Sequence, residues 1–207
     1  MFTGIIRGKA TVTSVSSTAS ILHLTLVFPD SVTEGLQRGA SVSIGGVCLT
    51  AVEIDGAQVQ FDLMSETLEK TTLGTAAPGV QYNFERAATF GDEIGGHLLS
   101  GHVMGTGEVT AVENADARYV LAIRVEPSLF GYIFAKGYIA IDGASLTIVE
   151  ADVATSVFTV HLIPETLRIT TLARLRAGDR VNIEVDTMTQ AIVETVQRMQ
   201  LATRSIV

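Results

Sequence analysis

The sequence predicts an all-β protein made of two tandem copies of one small closed barrel, followed by a C-terminal helix. Three observations support this prediction. The 207 residues include 19 glycines and no tryptophan, a composition typical of short strands joined by tight turns. The chain also repeats itself along its length, and apolar residues alternate with polar ones over short segments, as they do on half-buried strands.

The internal repeat appears when the sequence is shifted by 97 residues, which brings Gly4 onto Gly101. After an insertion of two residues the offset becomes 99, and Glu66-Thr67-Leu68 falls on Glu165-Thr166-Leu167. A single register with one small insertion indicates an internal duplication. Each copy, of about ninety residues, must therefore bury a core of its own.

Each copy contains about six short segments with the pattern of strands. Alternation is clearest over residues 22–28 and, in the second copy, 119–125. Similar runs lie near residues 9–15, 40–44, 48–54, 57–63 and 79–84, with counterparts in the second copy. Six strands separated by Gly, Asp and Ser turns suit a closed antiparallel barrel, because closure removes the exposed strand edges.

The tail has a different pattern. Thr187 followed by Gln190 predicts a capping box, and apolar residues then recur about one helical turn apart: Met188, Ile192, Val196 and Met199. The apolar stripe fits either packing against its own domain or a bundle that joins subunits. We therefore expect three units, namely an N-terminal barrel 1–97, a C-terminal barrel 98–186 and a helix with its tail 187–207.

Composition excludes several classes of protein. A chain that is 47% hydrophobic and 17% charged should fold. No apolar run reaches the roughly 18 residues of a transmembrane helix, and no secretion signal precedes the first repeat. The single cysteine, Cys48, excludes an internal disulfide and a thiolate zinc site. The net charge of -8 disfavours nucleic acid and anionic membranes. We expect a cytoplasmic protein without a bound metal.

Four pairs of equivalent positions differ in chemistry between the copies: Cys48 and Ser145, Ile5 and His102, Asp62 and His161, and Gly39 and Lys136. These differences indicate two related pockets with different reactive groups. Sequence drift in a duplicated protein with a single working site would produce the same four differences. The residues alone therefore leave both interpretations open.

Structural roles compete with functional ones for the histidines and the cysteine. A lone Cys48 is typical of a small buried hydrophobic residue. His97 and His102 are five residues apart, which on a strand would point them to opposite faces and argues against a shared metal. His23 lies on an alternating strand and is predicted to be solvated.

The acidic candidates are also ambiguous. Glu66 and Glu165 are identical in the two copies, which favours an anchoring role over acid–base work in one pocket. Asp186 fits either the region that caps the final helix or an acid–base group of the second barrel.

Six segments carry a resemblance to a known family. They are Met1–Ile5, Gly45–Thr50, Phe61–Leu68, Gly91–His97, Lys136–Gly143 and His161–Leu167. Falling in order in both halves, they resemble the riboflavin synthase family of the α-subunit type over essentially the whole chain. The resemblance implies two six-stranded Greek-key β-barrels related by internal duplication, with a C-terminal helix that joins three chains into a homotrimer.

The resemblance also implies a reaction. The family converts two molecules of 6,7-dimethyl-8-ribityllumazine into riboflavin and 5-amino-6-(D-ribitylamino)uracil, with no cofactor and no metal. The working site is expected between the N-terminal barrel of one chain and the C-terminal barrel of its neighbour. Association with lumazine synthase is a further expectation of the resemblance.

Substrate-binding residues carry over from the family position by position. In the first copy they are Gly4, Ile5, Ile6, Ser41, Cys48, Leu49, Thr50, Asp62, Leu63, Met64, Ser65, Glu66 and Thr67. In the second they are Gly101, His102, Val103, Lys136, Ser145, Leu146, Thr147, His161, Leu162, Ile163, Pro164, Glu165 and Thr166, with Lys136 coming from a neighbouring chain.

The catalytic candidates form a smaller set. His102, supported by Ser145 and Thr147, is the candidate that removes a proton from the lumazine 7-methyl group, because imidazole titrates near neutral pH. Cys48 is expected to assist a nucleophile or to position the partner ring. Asp186 is a weaker acid–base candidate.

Two other functions fit the same pattern. The first is a non-catalytic lumazine- or flavin-binding protein on the same double barrel. The second is the flavin-binding barrel of a reductase, which is disfavoured because no nicotinamide-binding domain follows. Retention of Cys48, His102, Lys136 and Ser145 favours the enzyme.

Overall fold

The computed structural model describes residues 1–18, 21–29, 31–115 and 118–204, with side chains described up to residue 201. Its first half is a closed antiparallel barrel of β1 (Gly8–Ser17), β2 (Ile21–Val27), β3 (Ser41–Ile44), β4 (Val47–Asp55), β5 (Gln58–Met64) and β6 (Gln81–Arg86). The strands neighbour one another in the order β1-β2-β5-β4-β3-β6. A short helix, α1 (Ser65–Lys70), and a 3-10 turn, Thr72–Thr75, connect β5 to β6.

The second half repeats this barrel. Its strands are β7 (Gly105–Ala115), β8 (Arg118–Arg124), β9 (Tyr138–Ile141), β10 (Ala144–Asp152), β11 (Val157–Leu162) and β12 (Arg180–Val185). The connections include α2 (Pro127–Phe130), α3 (Pro164–Ile169) and a 3-10 turn, Leu172–Arg174, and α4 (Thr187–Arg204) follows the barrel. The predicted pair of six-stranded barrels with a C-terminal helix is confirmed.

Each barrel has its own core because apolar residues alternate along its strands. In the first barrel the rings of Phe28 and Phe84 meet edge to face, with centroids 5.0 Å apart, and Phe61 is fully buried beside them. Phe158 and Leu121 occupy the interior of the second barrel. Each such side chain stabilises the fold by about 1.5 to 3 kcal/mol, so both copies can support a core.

Two buried asparagines join the barrels at equivalent positions. Asn182 Nδ2 donates to the carbonyl of Gly45 (2.7 Å), and Asn182 Oδ1 accepts from Thr72 N (2.7 Å). Asn83 crosses to the second barrel in the same way, its Oδ1 accepting from Thr171 N (2.7 Å). Both asparagines are almost fully buried, so each contact satisfies a group that water cannot reach.

Helix α4 begins differently from the prediction. Asp186 Oδ2 accepts hydrogen bonds from Thr189 N (2.8 Å) and Thr189 Oγ1 (2.7 Å), which makes Asp186 the N-cap. Gln190 Nε2 donates to Glu194 Oε1 (2.8 Å) rather than back to the cap. The predicted capping box of Thr187 and Gln190 is therefore wrong, because the aspartate one residue earlier offers a charged acceptor to the same helix end.

The apolar stripe of α4 is largely exposed in one chain. Met188, Ile192, Val196 and Met199 are 47 to 72% exposed. Of the two roles that the sequence left open, this exposure favours a bundle that joins subunits over packing on the helix's own domain. The last three residues of the predicted unit 187–207 lie outside the described residues. Among the described helices, none is long and apolar enough to cross a membrane.

Asp142 occupies the junction between the barrels. It sits in the turn between β9 and β10 with a φ of 46°, where the first copy has Gly45. Its Oδ1 accepts from Asn182 N (2.8 Å). Burial raises the pKa of Asp142 to about 7, with the Asn182 hydrogen bond acting in the opposite direction.

This shift predicts a pH effect on folding. Since the pKa of Asp142 is higher in the folded chain than in the unfolded one, its contribution is most favourable below about pH 4 and is lost as the pH rises through about 7. Asp142→Asn keeps an acceptor for Asn182 N and suits a left-handed turn. We expect the variant to be more stable than the parent at pH 8 and to lose this advantage at pH 4 in denaturant unfolding.

Asp152→Asn is the matched control. Hydrogen bonds from Thr155 and Ala154 lower the pKa of Asp152, so its charge stabilises the fold at pH 8. The control variant should therefore be less stable than the parent at that pH. Equal losses of stability in the two variants at pH 8 would contradict the assignment for Asp142.

Candidate active site

Outward-pointing side chains of three adjacent strands form one surface on the first barrel. Along β4, Cys48 and Thr50 point outward while Leu49 between them is buried. Ser41 of β3 pairs with Thr50, and the register of β4 with β5 places the outward residues of β5 beside them. We call this surface the first face; its residues are Ser41, Cys48, Thr50, Asp62 and Met64.

The second barrel repeats this surface on β9, β10 and β11. Tyr138 pairs with Thr147, and Ser145 takes the position of Cys48. We call it the second face; its residues are Tyr138, Ser145, Thr147, His161 and Ile163. Each face carries one large exposed apolar side chain at the equivalent position, Met64 (71% exposed) and Ile163 (64%). A flat apolar surface next to hydroxyls suits a planar ring with a polar tail.

Four of the predicted substrate-binding residues on the strands point the other way. Leu49, Leu63, Leu146 and Leu162 are buried in the barrel interiors, and Ile6, which precedes β1, is buried against the core of the second barrel. Because side chains alternate along a strand, the neighbours of an outward residue face the core. These leucines can therefore meet a ligand through their main chain alone.

Each face is bordered by a chain segment from the other copy. We call residues 1–6 the first arm and residues 98–103 the second arm. Cys48 N donates to the carbonyl of Gly101 (2.8 Å), and Ser145 N donates to the carbonyl of Gly4 (2.9 Å). The second arm thus borders the first face, and the first arm borders the second face.

The arms pair with each other between the barrels. Phe2 N donates to Leu99 O (2.8 Å) and Leu99 N to Phe2 O (3.0 Å). Both side chains are buried together against Ala140. This contact between the copies buries the side chains of Phe2 and Leu99, which neither copy could bury alone.

Buried carboxylates hold the arms. Glu85 accepts from Thr3 N (2.6 Å), Thr3 Oγ1 (2.7 Å) and Gly4 N (2.9 Å). Glu184 makes the equivalent contacts with Ser100 and Gly101. Burial raises the pKa of Glu85 against the opposing effect of these hydrogen bonds. The arms are therefore fixed by charged acceptors inside the protein.

A cavity of about 290 Å³ opens where the second arm meets the first barrel. It brings together predicted residues from both copies: Cys48, Glu66, Thr67, Gly101, His102 and Val103. Lys70 also lines it and pairs with Glu66 (Nζ to Oε1, 2.7 Å). Lys70 was not among the predicted residues, although it differs in charge from its counterpart in the second copy, Ile169.

Within one chain, the structure does not bring His102 to Ser145. His102 is exposed and lines the cavity beside Cys48, whereas Ser145 lies on the second face. The partner of Ser145 is His97, whose Nδ1 lies 2.6 Å from Ser145 Oγ. The expected support of His102 by Ser145 is therefore not formed inside a single chain.

His97 was considered in the sequence for a shared metal alone. Its ring is 7% exposed and stacks on Tyr138, with centroids 5.1 Å apart and planes at 17°. Burial lowers the pKa of His97, and the charge of Asp186 opposes this effect. Among the described residues, no group of three or more His, Cys, Asp or Glu side chains is placed to hold a metal ion.

The remaining candidates occupy the edges of the faces. Asp62 Oδ1 accepts from His23 Nδ1 across β2 and β5 (2.7 Å), so His23 is paired rather than simply solvated. Lys136 is exposed and has the left-handed backbone (φ 69°) of its counterpart Gly39 (φ 90°). Asp186 is the cap of α4.

The ends of β5 and β11 lead directly into the short helices that carry the other predicted residues. Ser65, Glu66 and Thr67 begin α1, while Pro164, Glu165 and Thr166 begin α3. Glu165 pairs with Arg168 (Oε2 to Nε, 2.8 Å), as Glu66 pairs with Lys70. Both glutamates therefore have an ionic partner within their own short helix.

Comparisons with family models and with curated proteins identify the same family. The model of the lumazine binding domain matches this chain twice, over residues 3–87 and 100–186. The riboflavin synthase of Escherichia coli is 48% identical over 98% of this chain and 94% of its own length. That of Chlamydia pneumoniae is 44% identical, covering 96% of each chain. That of Mycobacterium bovis is 39% identical over 93% of this chain and 96% of its own.

Solved structures show the same architecture. LumP complexed with riboflavin superimposes with a TM-score of 0.82 at 28% identity, covering 90% of this chain and all of LumP. LumP complexed with 6,7-dimethyl-8-(1'-D-ribityl) lumazine gives a TM-score of 0.81 with the same coverage at 24% identity, which supports the fold alone.

The fit of the second arm against Cys48 makes a testable prediction. Gly101 has a φ of +79°, and a Cβ there would lie 2.6 Å from Cys48 Cβ. Gly101→Ala should cost about 1 to 2 kcal/mol for the left-handed backbone and about 1 to 3 kcal/mol more for crowding. We expect lower stability in urea unfolding and faster modification of the Cys48 thiol as the arm moves away.

Gly39→Ala separates the two effects. Gly39 has a φ of +90° but open space around it, so its substitution should carry the backbone cost without the crowding. If both variants lost the same free energy of unfolding and kept the thiol reactivity of the parent, the arm would not be held as described.

Proposed function

The chain belongs to the riboflavin synthase family of lumazine-binding proteins, and from this premise we propose that it converts two molecules of 6,7-dimethyl-8-ribityllumazine into riboflavin and 5-amino-6-(D-ribitylamino)uracil. It is an enzyme of the transferase class, in which one lumazine donates a four-carbon unit and the other accepts it. The observation that carries the proposal is the pair of equivalent faces with different reactive groups.

The duplication explains how two identical substrates take different roles. Met64 and Ile163 can each cover one side of a flat ring, and Thr50 and Thr147 can bond a polyol at equivalent places. The faces differ at the position nearest the arms, where Cys48 has a thiol and Ser145 a hydroxyl. Similar binding surfaces with different nucleophilic groups suit one donor and one acceptor.

Assembly would complete the site. We propose a homotrimer in which the first face of one chain meets the second face of its neighbour, with Lys136 contributed across that contact. The openness of both faces in one chain and the exposed apolar stripe of α4 support this proposal. Holding two rings against each other supplies rate enhancement through proximity and orientation.

Three further expectations remain proposals. The functional units are residues 1–97, 98–186 and 187–207; the location is cytoplasmic; and the enzyme associates with lumazine synthase, which makes its substrate. The lone free Cys48 supports a reducing location.

The residue roles rest on the same premise. His102 exchanges a proton with a ligand on the first face; its exposure and its position in the lining of the cavity beside Cys48 support this role. Cys48 positions the ring or assists addition to it. Asp186 is directed toward the helix cap, so its influence on the chemistry would be electrostatic.

A second candidate function is binding of lumazine or riboflavin without turnover. The likeness to LumP in its riboflavin complex favours it, since the architecture is shared. The curated relatives at 39 to 48% identity favour the enzyme.

Incubation with the lumazine alone distinguishes these functions. We expect the purified protein to produce riboflavin, followed by its absorbance, with one pyrimidine released per riboflavin formed. A ligand spectrum that changes on binding and then stays constant would assign the chain to the binding proteins.

His102→Ala tests the proposed proton transfer. Loss of a general acid or base slows turnover by about 100-fold or more, whereas a ligand held by the rest of the face should bind almost as before. Turnover number and lumazine affinity are to be measured together. Equal losses in the two quantities would make His102 a binding residue.

A further inference from the structure

The second face is bordered by a buried imidazole, that of His97, and among the described residues no buried imidazole borders the first face. His97 Nδ1 lies 2.6 Å from Ser145 Oγ, a distance typical of a strong hydrogen bond. The equivalent thiol of Cys48 is free, and no described side chain hydrogen-bonds to it. The two copies therefore differ both in the nucleophilic atom and in what activates it.

His97 is the last residue of the connector between the barrels, residues 87–97. Gly96 lets the chain pass close to the second face, since a Cβ there would lie 2.4 Å from Thr3 O and 2.6 Å from Ser145 Cβ. Tyr138 stacks on one side of the ring and fixes its plane. His97 is thus held in one orientation against the Ser145 hydroxyl.

The other ring nitrogen supports a role beyond packing. His97 Nε2 is buried and has no hydrogen-bond partner among the described residues. A buried polar atom without a partner carries a cost in stability that a residue serving the fold alone would not need. Such a cost is typical of a group kept for chemistry.

We propose that His97, acting through Ser145, is the proton acceptor of the second face. When a lumazine bound there loses a proton from its 7-methyl group, the C–H bond breaks and its proton goes to Ser145 Oγ. The Ser145 hydroxyl proton passes at the same time to Nδ1 of His97. The products are a lumazine anion and a His97 imidazolium, so proton count and charge balance.

The surroundings of His97 suit both halves of this transfer. Burial lowers the pKa of the ring and keeps it neutral, as a proton acceptor must be at neutral pH. The carboxylate of Asp186 acts in the opposite direction and favours the imidazolium once it forms. Tyr138 offers the face of its ring to that cation. Ser145 supplies the remaining contact.

This inference rests on the proposed function, because it concerns the same reaction. His97 does not contact the substrate in this scheme; it is a positioning residue that stores the proton. It also differs from the role given to His102, which borders the other face.

The test uses the full-length protein, with 7-methyl proton exchange from D2O followed by NMR and riboflavin formation measured beside it. His97→Asn keeps a hydrogen-bonding group near Nδ1 but cannot store the proton. We expect exchange and turnover to fall by about 100-fold, with lumazine affinity almost unchanged. Ser145→Ala should give a similar loss, and the double variant should be no slower than either single one.

Asp186 provides a second measurement, because asparagine caps a helix about as well as aspartate. Asp186→Asn should therefore keep α4 capped and lower the unfolding temperature only slightly, through the charge lost at the helix end. It removes the charge that raises the pKa of His97, so the loss of activity at low pH should move to lower pH. The parent protein is the reference for this pH profile, so that the exposed His102 contributes equally to both proteins compared.

The outcomes separate the two proposals. A parent protein that forms no riboflavin would overturn the proposed function. A parent that turns over normally while His97→Asn or Ser145→Ala keeps its exchange rate would overturn the role of His97 alone. Additive losses in the double variant would also overturn it, since independent contributions are incompatible with one relay.

Discussion

The exchange of arms between the two copies is the contact on which the candidate site depends. Glu85 and Glu184 are buried carboxylates, and each holds the arm that reaches the opposite barrel. Hydrogen bonds to a charged acceptor contribute about 1.5 to 3 kcal/mol each and oppose the cost of burying the carboxylate, although burial is the larger effect and raises the pKa of Glu85. Without these acceptors, Gly4 and Gly101 would not meet Ser145 and Cys48, and neither face would have its border.

This exchange explains why a duplicated chain can carry out asymmetric chemistry. Each face combines strands from one copy with an arm from the other. A substitution on a strand therefore alters the face of its own copy, and a substitution in an arm alters the face of the other copy. His102 replaces Ile5 in the arm beside Cys48, while Ile5 borders the face of Ser145. The copies keep the same scaffold and still present different groups to their ligands.

Much of this was accessible from the sequence because periodicity and duplication are local signals. The strand positions, the repeat offset and the set of Cys48, Glu66, Thr67 and Gly101 to Val103 follow from pattern and resemblance, and the cavity brings these residues together. The pairing of His97 with Ser145 could not follow, because 48 residues separate them and a connector without regular alternation joins them. The sequence left the cap of α4 open between Asp186 and Thr187, because two neighbouring residues could each begin the helix.

The end of the second barrel links the fold to the chemistry. Burial acts against ionisation of Asp186, but hydrogen bonds from Thr189 outweigh it and hold the pKa of the carboxyl below its usual value. The anion satisfies the first turn of α4 and also faces the one buried imidazole of the second face among the described residues. The charge of Asp186 therefore has two effects. It caps the helix whose exposed apolar stripe suits subunit contact, and it acts on the pKa of His97, the partner of Ser145. Because the first barrel is followed by the connector rather than by a helix, this arrangement can arise in one copy and not in the other.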